Sequence, residues 1–432
     1  MGDQEKKVLL NKNKELSRCI SHVGDELHSF RSCLRWMCVD QSNPWSAALS
    51  WCIFFLFAIL VPVLSHFGLA CAECDANLHR PYDAIVQLSL SIVASVSFLS
   101  LSTFVRKYGL RRFLYFDKLC NESENVRHGY TAQLNKSLEL LALFVIPCFL
   151  AEGGYKIWWY SSGASQIPFL GNVYVSDAIA CILELCSWLY RTSIFFLVCV
   201  LFRLICYLQI LRLQDFAKVF QEESDVGTVL KEHLRIRRHL RVISHRYRAF
   251  ILSALAIITI SQFSSLLNTT RSHADVSVYR TGELALCSMT LMAGLIILLR
   301  SATKITHKAQ SITCLAAKWH ICATLDSFDD GETPTTQIGS CGHLFPNEAH
   351  ADSEEDDAGD EDDDINNTKI MMPAYANAMC FQKRQALVTY FENNRAGITV
   401  FGFMLDRTCI NMIFGIEMSL VLWLLGKTIG IS

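Results

Sequence analysis

The stretch AIACILELCSWLYRTSIFFLVCVLFR, residues 178–203, decides the fold class of this 432-residue chain. It is almost wholly apolar and long enough to cross the hydrocarbon core of a bilayer as a helix, which takes about 20 residues. Six further runs share this property, at residues 47–69, 85–105, 138–158, 249–268, 282–300 and 408–426. The sequence therefore predicts an all-α polytopic membrane protein with seven transmembrane helices.

Lysine and arginine are unevenly distributed among the polar segments that border these runs. Thirty of the 39 basic residues fall in segments 1–46, 106–137, 204–248 and 301–396, whereas the other three segments together hold three. Segments rich in lysine and arginine stay on the cytoplasmic side of a membrane. The pattern predicts a cytoplasmic N-terminus and, because the number of spans is odd, an extracellular C-terminus.

The same runs predict four regions along the chain. Residues 1–46 form a cytoplasmic N-terminal segment with an amphipathic helix, and residues 47–300 hold spans one to six with cytoplasmic helical extensions. Residues 301–396 form a cytoplasmic linker, and residues 397–432 contain the final span. Within the linker, the acidic run 352–364 predicts disorder because its like charges repel one another.

One of the cytoplasmic extensions has a clear helical pattern. In segment 204–248, apolar residues recur at helical spacing along one face, and arginines occupy the other positions. This pattern predicts a helix that prolongs the fifth span inward. The residues of the apolar face are Val229, Ile236, Leu240, Ile243 and Tyr247.

Composition and motifs exclude several classes of function. The chain is 51% hydrophobic and 19% charged, and its basic residues border the spans, where lipid headgroups rather than nucleic acid are their partners. It contains no H-E-x-x-H, G-x-S-x-G or glycine-rich phosphate loop. The His-x-Cys pair at His320 and the Cys-x-His pair at Cys341 lack the usual zinc spacing. We therefore expect no enzymatic activity, metal or cofactor.

Three ionisable residues lie near the predicted middle of their spans: Glu152, Arg191 and Glu417. A charge inside a bilayer is costly, so such groups pair with one another or line a path. The sequence therefore predicts that Arg191 is neutralised by Glu152 or by Glu417, the latter as an intramembrane charge partner from the final span.

Two helical stripes in spans three and four combine ionisable with aromatic side chains. Facing each other, they would form an aromatic pocket with polar anchors that opens outward to an unknown small-molecule ligand. A structural salt bridge packed by aromatic rings explains the stripes equally well. The pocket candidates are Glu152, Tyr155 and Trp159 on span three, and Glu184, Trp188 and Arg191 on span four.

The final span has one face of small and polar residues. Thr408, Asn411, Gly415 and Ser419 share this face, whereas Glu417 lies on the opposite side. Small residues allow close packing of helices, and polar residues can line a water-filled path. The pattern alone leaves both explanations open, and either one points Glu417 toward the body of its own subunit.

Three stretches resemble a plant family of gustatory-receptor-like membrane proteins of unknown function: DELHSFRSCLRWMCVDQSN (25–43), SATKITHKAQSITCLAAKWHICATLDSFD (301–329) and FGFMLDRTCINMIFGIEMSLVLWLLGKTIGIS (401–432). The resemblance covers nearly the whole chain apart from the acidic run. Its topology is also similar to that of insect gustatory and odorant receptors. It implies a homotetramer whose final helices line a central pore and whose earlier spans hold a ligand in their outer halves.

This resemblance favours a ligand-gated cation channel or receptor in the lipid bilayer of the plasma membrane rather than an endomembrane. Two alternatives stay open. Glu152, Arg191 and Glu417 could form the midplane relay of a secondary transporter, although the sequence lacks the matched halves of many transporters. A non-conducting membrane scaffold that displays the acidic run to cytoplasmic partners is the other alternative.

Overall fold

Helices account for nearly all of the residues that the computed structural model describes, which are 44–68, 82–108, 124–161, 173–219, 226–270, 278–329 and 381–429. Nine α-helices are found in this part of the chain. In chain order they are α1 Pro44–Phe55, α2 Val61–Gly68, α3 Asp83–Tyr108, α4 Glu124–Ser161, α5 Val173–Val219, α6 Val226–Thr270, α7 Val278–Asp329, α8 Phe381–Asn393 and α9 Arg407–Ile429. A π-helical turn, Leu56–Leu60, joins α1 to α2, and strands β1 Thr399–Val400 and β2 Phe403–Met404 precede α9.

Seven helical segments are long and apolar enough to cross a membrane, and each overlaps one of the predicted apolar runs. The prediction of an all-α, seven-helix polytopic membrane protein is therefore confirmed. The segments are Pro44–Phe67, Asp83–Phe104, Ala132–Ser161, Tyr174–Lys218, Val226–Thr270, Thr281–Ile321 and Arg407–Lys427.

Three helices are much longer than a bilayer requires. The lengths of α5, α6 and α7 are 47, 45 and 52 residues, against the roughly 20 residues of a single crossing. The apolar face predicted for the first half of α6 is buried at all five positions, Val229, Ile236, Leu240, Ile243 and Tyr247. The helix that prolongs the fifth span is thus observed.

Two parts of the segment 301–396 that the structure describes are helical. In it, α7 continues from Ser301 to Asp329, and α8 occupies residues 381–393. The reason is visible in the sequence, because apolar residues recur every three or four positions and are buried as one helical face. These residues are Ala302, Ile305, Ala309, Ile312 and Ala316. The acidic run 352–364 and the predicted N-terminal amphipathic helix lie outside the described residues.

The described helices form two compact units. The membrane unit draws on Met1–Ile205, Tyr247–Arg300 and Thr408–Ser432, which contain all seven predicted apolar runs. The second unit draws on Cys206–Arg246 and Ser301–Arg407. Its two short strands pair antiparallel, with Thr399 opposite Met404 and Val400 opposite Phe403.

Within the membrane unit, α5 is the most deeply packed helix and α9 the least. In their most apolar windows, 83% of the α5 residues but only 17% of the α9 residues are buried. The contact between α5 and α7 is close at Gly294, where an added Cβ atom would lie 2.2 Å from the ring of Phe195. Only glycine at this position allows the two helices to approach so far.

The first span is interrupted near its middle. Pro62 follows the π-helical turn and has no N–H group to continue the helical hydrogen bonds. The hydroxyl of Ser187 on α5 donates to the carbonyl oxygen of Phe57 in that turn, at 2.6 Å. This bond fixes α5 against the irregular turn and sets the position of the next residues of α2, which border a cavity.

Candidate functional site: a charged cavity in the membrane unit

A small cavity lies among the side chains of α2, α3, α4, α5 and α7. Its volume is about 10 Å³, which is room for one water-sized group. Its lining is unusually rich in charge for a membrane-spanning region. The charged residues are Glu152 and Lys156 of α4, Glu184 and Arg191 of α5, and Glu283 of α7.

Lys156 connects the three helices that carry the carboxylates. Its Nζ atom lies 2.7 Å from Oε1 of Glu283, 2.9 Å from Oε2 of Glu184 and 3.9 Å from Oε1 of Glu152. The hydroxyl of Ser65 on α2 donates to the other oxygen of Glu184. Because Lys156 is only 2% exposed, these contacts replace its hydration and tie α2, α4, α5 and α7 together.

Arg191 is satisfied by neutral groups. Its guanidinium donates to Oε1 of Gln87 at 2.8 Å, to the carbonyl oxygen of Gln87 at 3.3 Å and to Oγ of Ser91 at 3.2 Å, all on α3. It also donates to the carbonyl oxygen of Ser187, one turn earlier on α5, at 3.3 Å. The side-chain amide of Gln87 in turn donates to Asp83 at 3.1 Å. Among the described residues no direct ion pair joins Arg191 to Glu152 or Glu417, although the charges of Glu152, Glu283 and Asp83 act on the guanidinium from a longer distance.

Glu417 has a different neighbour from the one predicted. It is 1% exposed, and its Oε1 atom accepts a hydrogen bond from the hydroxyl of Thr259 on α6. Thr259 also lies 2.9 Å from the carbonyl oxygen of Leu255 in its own helix. Depth along a span placed Glu417 and Arg191 at one level, but depth does not determine which helices are neighbours, and Glu417 faces α6.

The final helix presents its small and polar face away from its own subunit. Thr408, Asn411, Gly415 and Ser419 are exposed, whereas Glu417 is buried on the opposite side. A Cβ atom added to Gly415 would meet nothing within 4 Å. Within the described residues, this face therefore packs against no other helix of the same chain.

Among the described residues that line the cavity, carboxylates outnumber cations. Three carboxylates, Glu152, Glu184 and Glu283, face two cations, Lys156 and Arg191. If every group ionised, one negative charge would remain in a region of low dielectric constant, where an uncompensated charge is expensive. Asp83 borders the same network and is held by Gln87 and by Nδ1 of His66 at 3.3 Å. A bound proton or a small cation would reduce the excess of negative charge among these residues.

Comparison with known proteins identifies the family. Residues 25–416 match a family described as "Protein of unknown function (DUF3537)". The chain belongs to this family. Membership agrees with the resemblance to a family of unknown function that the sequence suggests, while its gustatory-receptor-like character stays a prediction.

One solved structure with a similar fold is the insect olfactory receptor OR5 from Machilis hrabei. The two chains are 12% identical, the match covers 93% of this chain and 99% of that chain, and the TM-score is 0.48. No curated protein matches the chain. The function of this DUF3537 family member must therefore be argued from its own residues.

Four of the six predicted pocket residues line the cavity, namely Glu152, Glu184, Trp188 and Arg191. The other two point elsewhere. The ring of Tyr155 lies beside Gly282, 3.4 Å from where a Cβ atom would be. Trp159 packs edge-on against Tyr160 with ring centroids 4.9 Å apart. The predicted aromatic pocket is thus a charged cavity with a single tryptophan.

Sequence reasoning missed seven of the eleven lining residues, among them the two charged residues Lys156 and Glu283 and the amide Gln87. Lys156 falls inside the apolar run 138–158 and could have been found by the criterion that found Arg191. A lysine near the end of a span normally extends its ammonium to the membrane surface. The position of Lys156 in the sequence therefore gives no indication that its side chain is buried. Its burial shows that it turns inward. Among the described residues, no group of three or more His, Cys, Asp or Glu side chains forms a metal site.

Proposed function

We propose that the protein is the subunit of an oligomeric cation channel whose pore is lined by the exposed face of α9. The observation that carries this proposal is the orientation of α9 in the single subunit. Its polar face points outward while Glu417 points inward. In a bilayer, that face would meet lipid unless other copies or water covered it. Asn411 is the decisive residue, because its amide can make up to four hydrogen bonds that hydrocarbon cannot supply.

Several copies around one axis would cover this face. Closed rings are the usual arrangement when one surface meets another around a rotation axis, and Gly415 allows neighbouring helices to approach closely. The sequence resemblance favours four copies, and we propose a homotetramer. The polar residues Thr408, Asn411 and Ser419 would then line a path wide enough for water and cations.

The charged cavity is the proposed site of regulation. Pockets for organic ligands measure roughly 300–1,000 Å³, far more than the space present here. In this conformation the cavity accepts a proton or a small cation, and an organic ligand would have to separate the helices. Either event changes how Lys156 bridges its carboxylates and so biases the equilibrium between closed and open arrangements.

We further propose that the cavity lies near the outer membrane surface. Two of its lining residues are close to helix ends, since Ser65 is three residues before the end of α2 and Glu283 is five residues after the start of α7. Asp83, which borders the same network, begins α3. These ends border segments poor in lysine and arginine, which the positive-inside rule assigns to the outer side. The N-terminus is then cytoplasmic, the C-terminus extracellular, and the plasma membrane the proposed location.

A proton-coupled transporter is the second candidate. The unbalanced charge of the cavity favours it, because buried carboxylates that share a cation are suited to binding and releasing a proton during a transport cycle. The transporter hypothesis assigns no role to the exposed polar face of α9. We therefore place it second.

Current recordings from purified protein in planar bilayers distinguish the two. A channel gives unitary current steps, and Asn411→Asp should raise cation conductance by adding negative charge to the pore. Phe414→Leu is the matched control, since Phe414 is exposed on another face of α9 and its change should leave the conductance unaltered. Slow flux that depends on the proton gradient and shows no steps would instead support the transporter.

A further inference from the structure

The hairpin that precedes α9 contains a conformation that its sequence does not favour. A two-residue turn, Phe401-Gly402, joins β1 to β2, with φ angles of 48° and 94°. Positive φ at both central positions is typical of a type I′ turn, whose preferred sequence is Asn-Gly. A phenylalanine in the left-handed region is strained. Such strain, where a relaxed residue was available, points to a function of the side chain.

The hairpin is nevertheless firmly held in the second unit. The N–H of Ile398 donates to Oγ1 of Thr306 at 3.1 Å, and the N–H of Thr399 donates to Oγ of Ser244 at 3.1 Å. The side chains of Ile398 and Val400 are buried. Phe403 is nevertheless 79% exposed and Phe401 55% exposed. The two rings are thus presented to the outside by a fixed support.

The rise per residue along α6 and α7 gives the distance between the contacts of the hairpin and the ends of the apolar runs. Thr306 follows the end of the apolar run 282–300 by six residues, which is about 9 Å along α7. Ser244 precedes the start of the apolar run 249–268 by five residues, or about 8 Å along α6. The headgroup layer on each side of the hydrocarbon core is roughly 5–8 Å thick. Both contacts therefore place the hairpin at the outer edge of the lipid headgroup layer.

We propose that residues 399–404 form a membrane-interface anchor in which Phe401 and Phe403 insert into the lipid headgroup region. The chain itself supports this, since the membrane helix α9 begins four residues after Phe403, at Arg407. Arg407 and Arg395 are exposed on either side of the hairpin. Aromatic rings flanked by arginines are typical of the interface between lipid and water, where the guanidinium groups meet phosphates.

This anchor is independent of the channel proposal. It fixes the first turn of α9 at a defined depth, whatever that helix lines or contacts. It also explains the strained turn: asparagine at position 401 would relax the backbone but would remove one of the two rings.

Site-specific photocrosslinking tests the anchor in full-length protein. p-Benzoylphenylalanine replaces Phe403 or Phe401 in protein reconstituted into vesicles of phosphatidylcholine and phosphatidylserine, and adducts are identified by mass spectrometry after irradiation. Phe381 is the control, because it is 47% exposed and its ring lies 5.0 Å from that of His320, about 30 Å beyond Arg300 along α7. We expect at least fivefold more lipid adduct at 403 and 401 than at 381. Adducts mainly to a second copy, or no excess over 381, would overturn the proposal.

The Phe401→Asn variant distinguishes a role of Phe401 in membrane anchoring from a role in the stability of the fold. Because asparagine suits the turn, the melting temperature in detergent should stay the same or rise, while the lipid adduct from position 403 should fall at least twofold. A lower melting temperature with unchanged adduct would show that Phe401 serves packing and would overturn its role in the membrane.

Discussion

Lys156 is the residue on which the charged cavity depends. Two carboxylates lie within 3 Å of its ammonium, and a third lies 3.9 Å away. All of these groups are nearly inaccessible to solvent, so bulk water cannot hydrate the carboxylates if the lysine is lost. Removing one partner of a buried ionic network leaves the remaining charges uncompensated.

We therefore expect Lys156→Met to lower the free energy of unfolding by about 3–5 kcal/mol. The melting temperature of the detergent-solubilised protein measures the effect. Adding Glu283→Gln to this variant removes one stranded carboxylate and should restore part of the loss. A double variant no more stable than Lys156→Met alone would contradict the ion contacts described for the cavity.

A second residue-scale prediction concerns the partner of Arg191. The side-chain Oε1 atom of Gln87 accepts one hydrogen bond from Arg191, and the Gln87 backbone carbonyl, which Gln87→Leu keeps, accepts another. Because either substitution removes the side-chain hydrogen bond, Arg191→Leu and Gln87→Leu should each destabilise the protein by about 1.5–3 kcal/mol. Their effects should be far from additive in a double-mutant cycle, whereas Arg191→Leu and Glu417→Gln should add. Coupling between Arg191 and Glu417 in thermal unfolding would restore the ion pair that the sequence predicts and refute the observed arrangement.

At the scale of elements, α5 and α7 are the most buried of the membrane-spanning helices and α9 is the least buried. At Gly294 the two helices are in close contact, with the ring of Phe195 in the space that a side chain would occupy. Phe195 is 2% exposed and is enclosed by its neighbours, so its ring has little freedom to yield. This contact makes α5 and α7 a rigid pair beside the cavity.

Gly294→Ala should therefore destabilise the protein by about 1–3 kcal/mol, because the added methyl group overlaps the Phe195 ring. Gly154→Ala on α4 provides the matched control, since an added Cβ atom there meets nothing within 4 Å and alanine favours the helix. Thermal unfolding of both variants checks the comparison. Equal melting temperatures would mean that α5 and α7 are not in this close contact.

The elements themselves were largely predictable because helical periodicity is a local property. The buried face of α6, from Val229 to Tyr247, was read from spacing alone and is observed. The continuation of α7 through Ala302 and Ile305 follows the same rule, but the apolar run ends at residue 300 and polar residues follow, a pattern that by itself predicts a linker. Periodicity identifies the face of one helix, but it does not identify the helix that packs against that face.

For the whole molecule, this limit explains which parts of the site could be predicted. The number of spans and the inward orientation of Glu417 followed from the sequence, since both depend on single helices. The contacts of Arg191 with Gln87, of Lys156 with Glu283 and of Glu417 with Thr259 depend on how separate helices are arranged. No pattern within one helix contains that information. The charged cavity is therefore a result of the structure.

The proposed channel depends on the final helix and on the assembly of several copies around it. The structure of one subunit leaves Thr408, Asn411, Gly415 and Ser419 uncovered. In the proposed channel this face would be exposed to water, whereas other exposed positions of α9, such as Phe414, would contact lipid or a neighbouring copy. Access of water to this face therefore distinguishes a pore lining from a surface that packs against another helix.

Cysteine accessibility along α9 tests this claim most directly. Single cysteines from 408 to 424, in a background without native Cys409, are treated with a small water-soluble thiol reagent in reconstituted protein. The account predicts reactivity with a period of about 3.6 residues, highest at Thr408, Asn411, Gly415 and Ser419 and low at Glu417, Leu424 and Phe414. Uniform protection, or reactivity centred on Glu417, would contradict a pore on the exposed face of this helix.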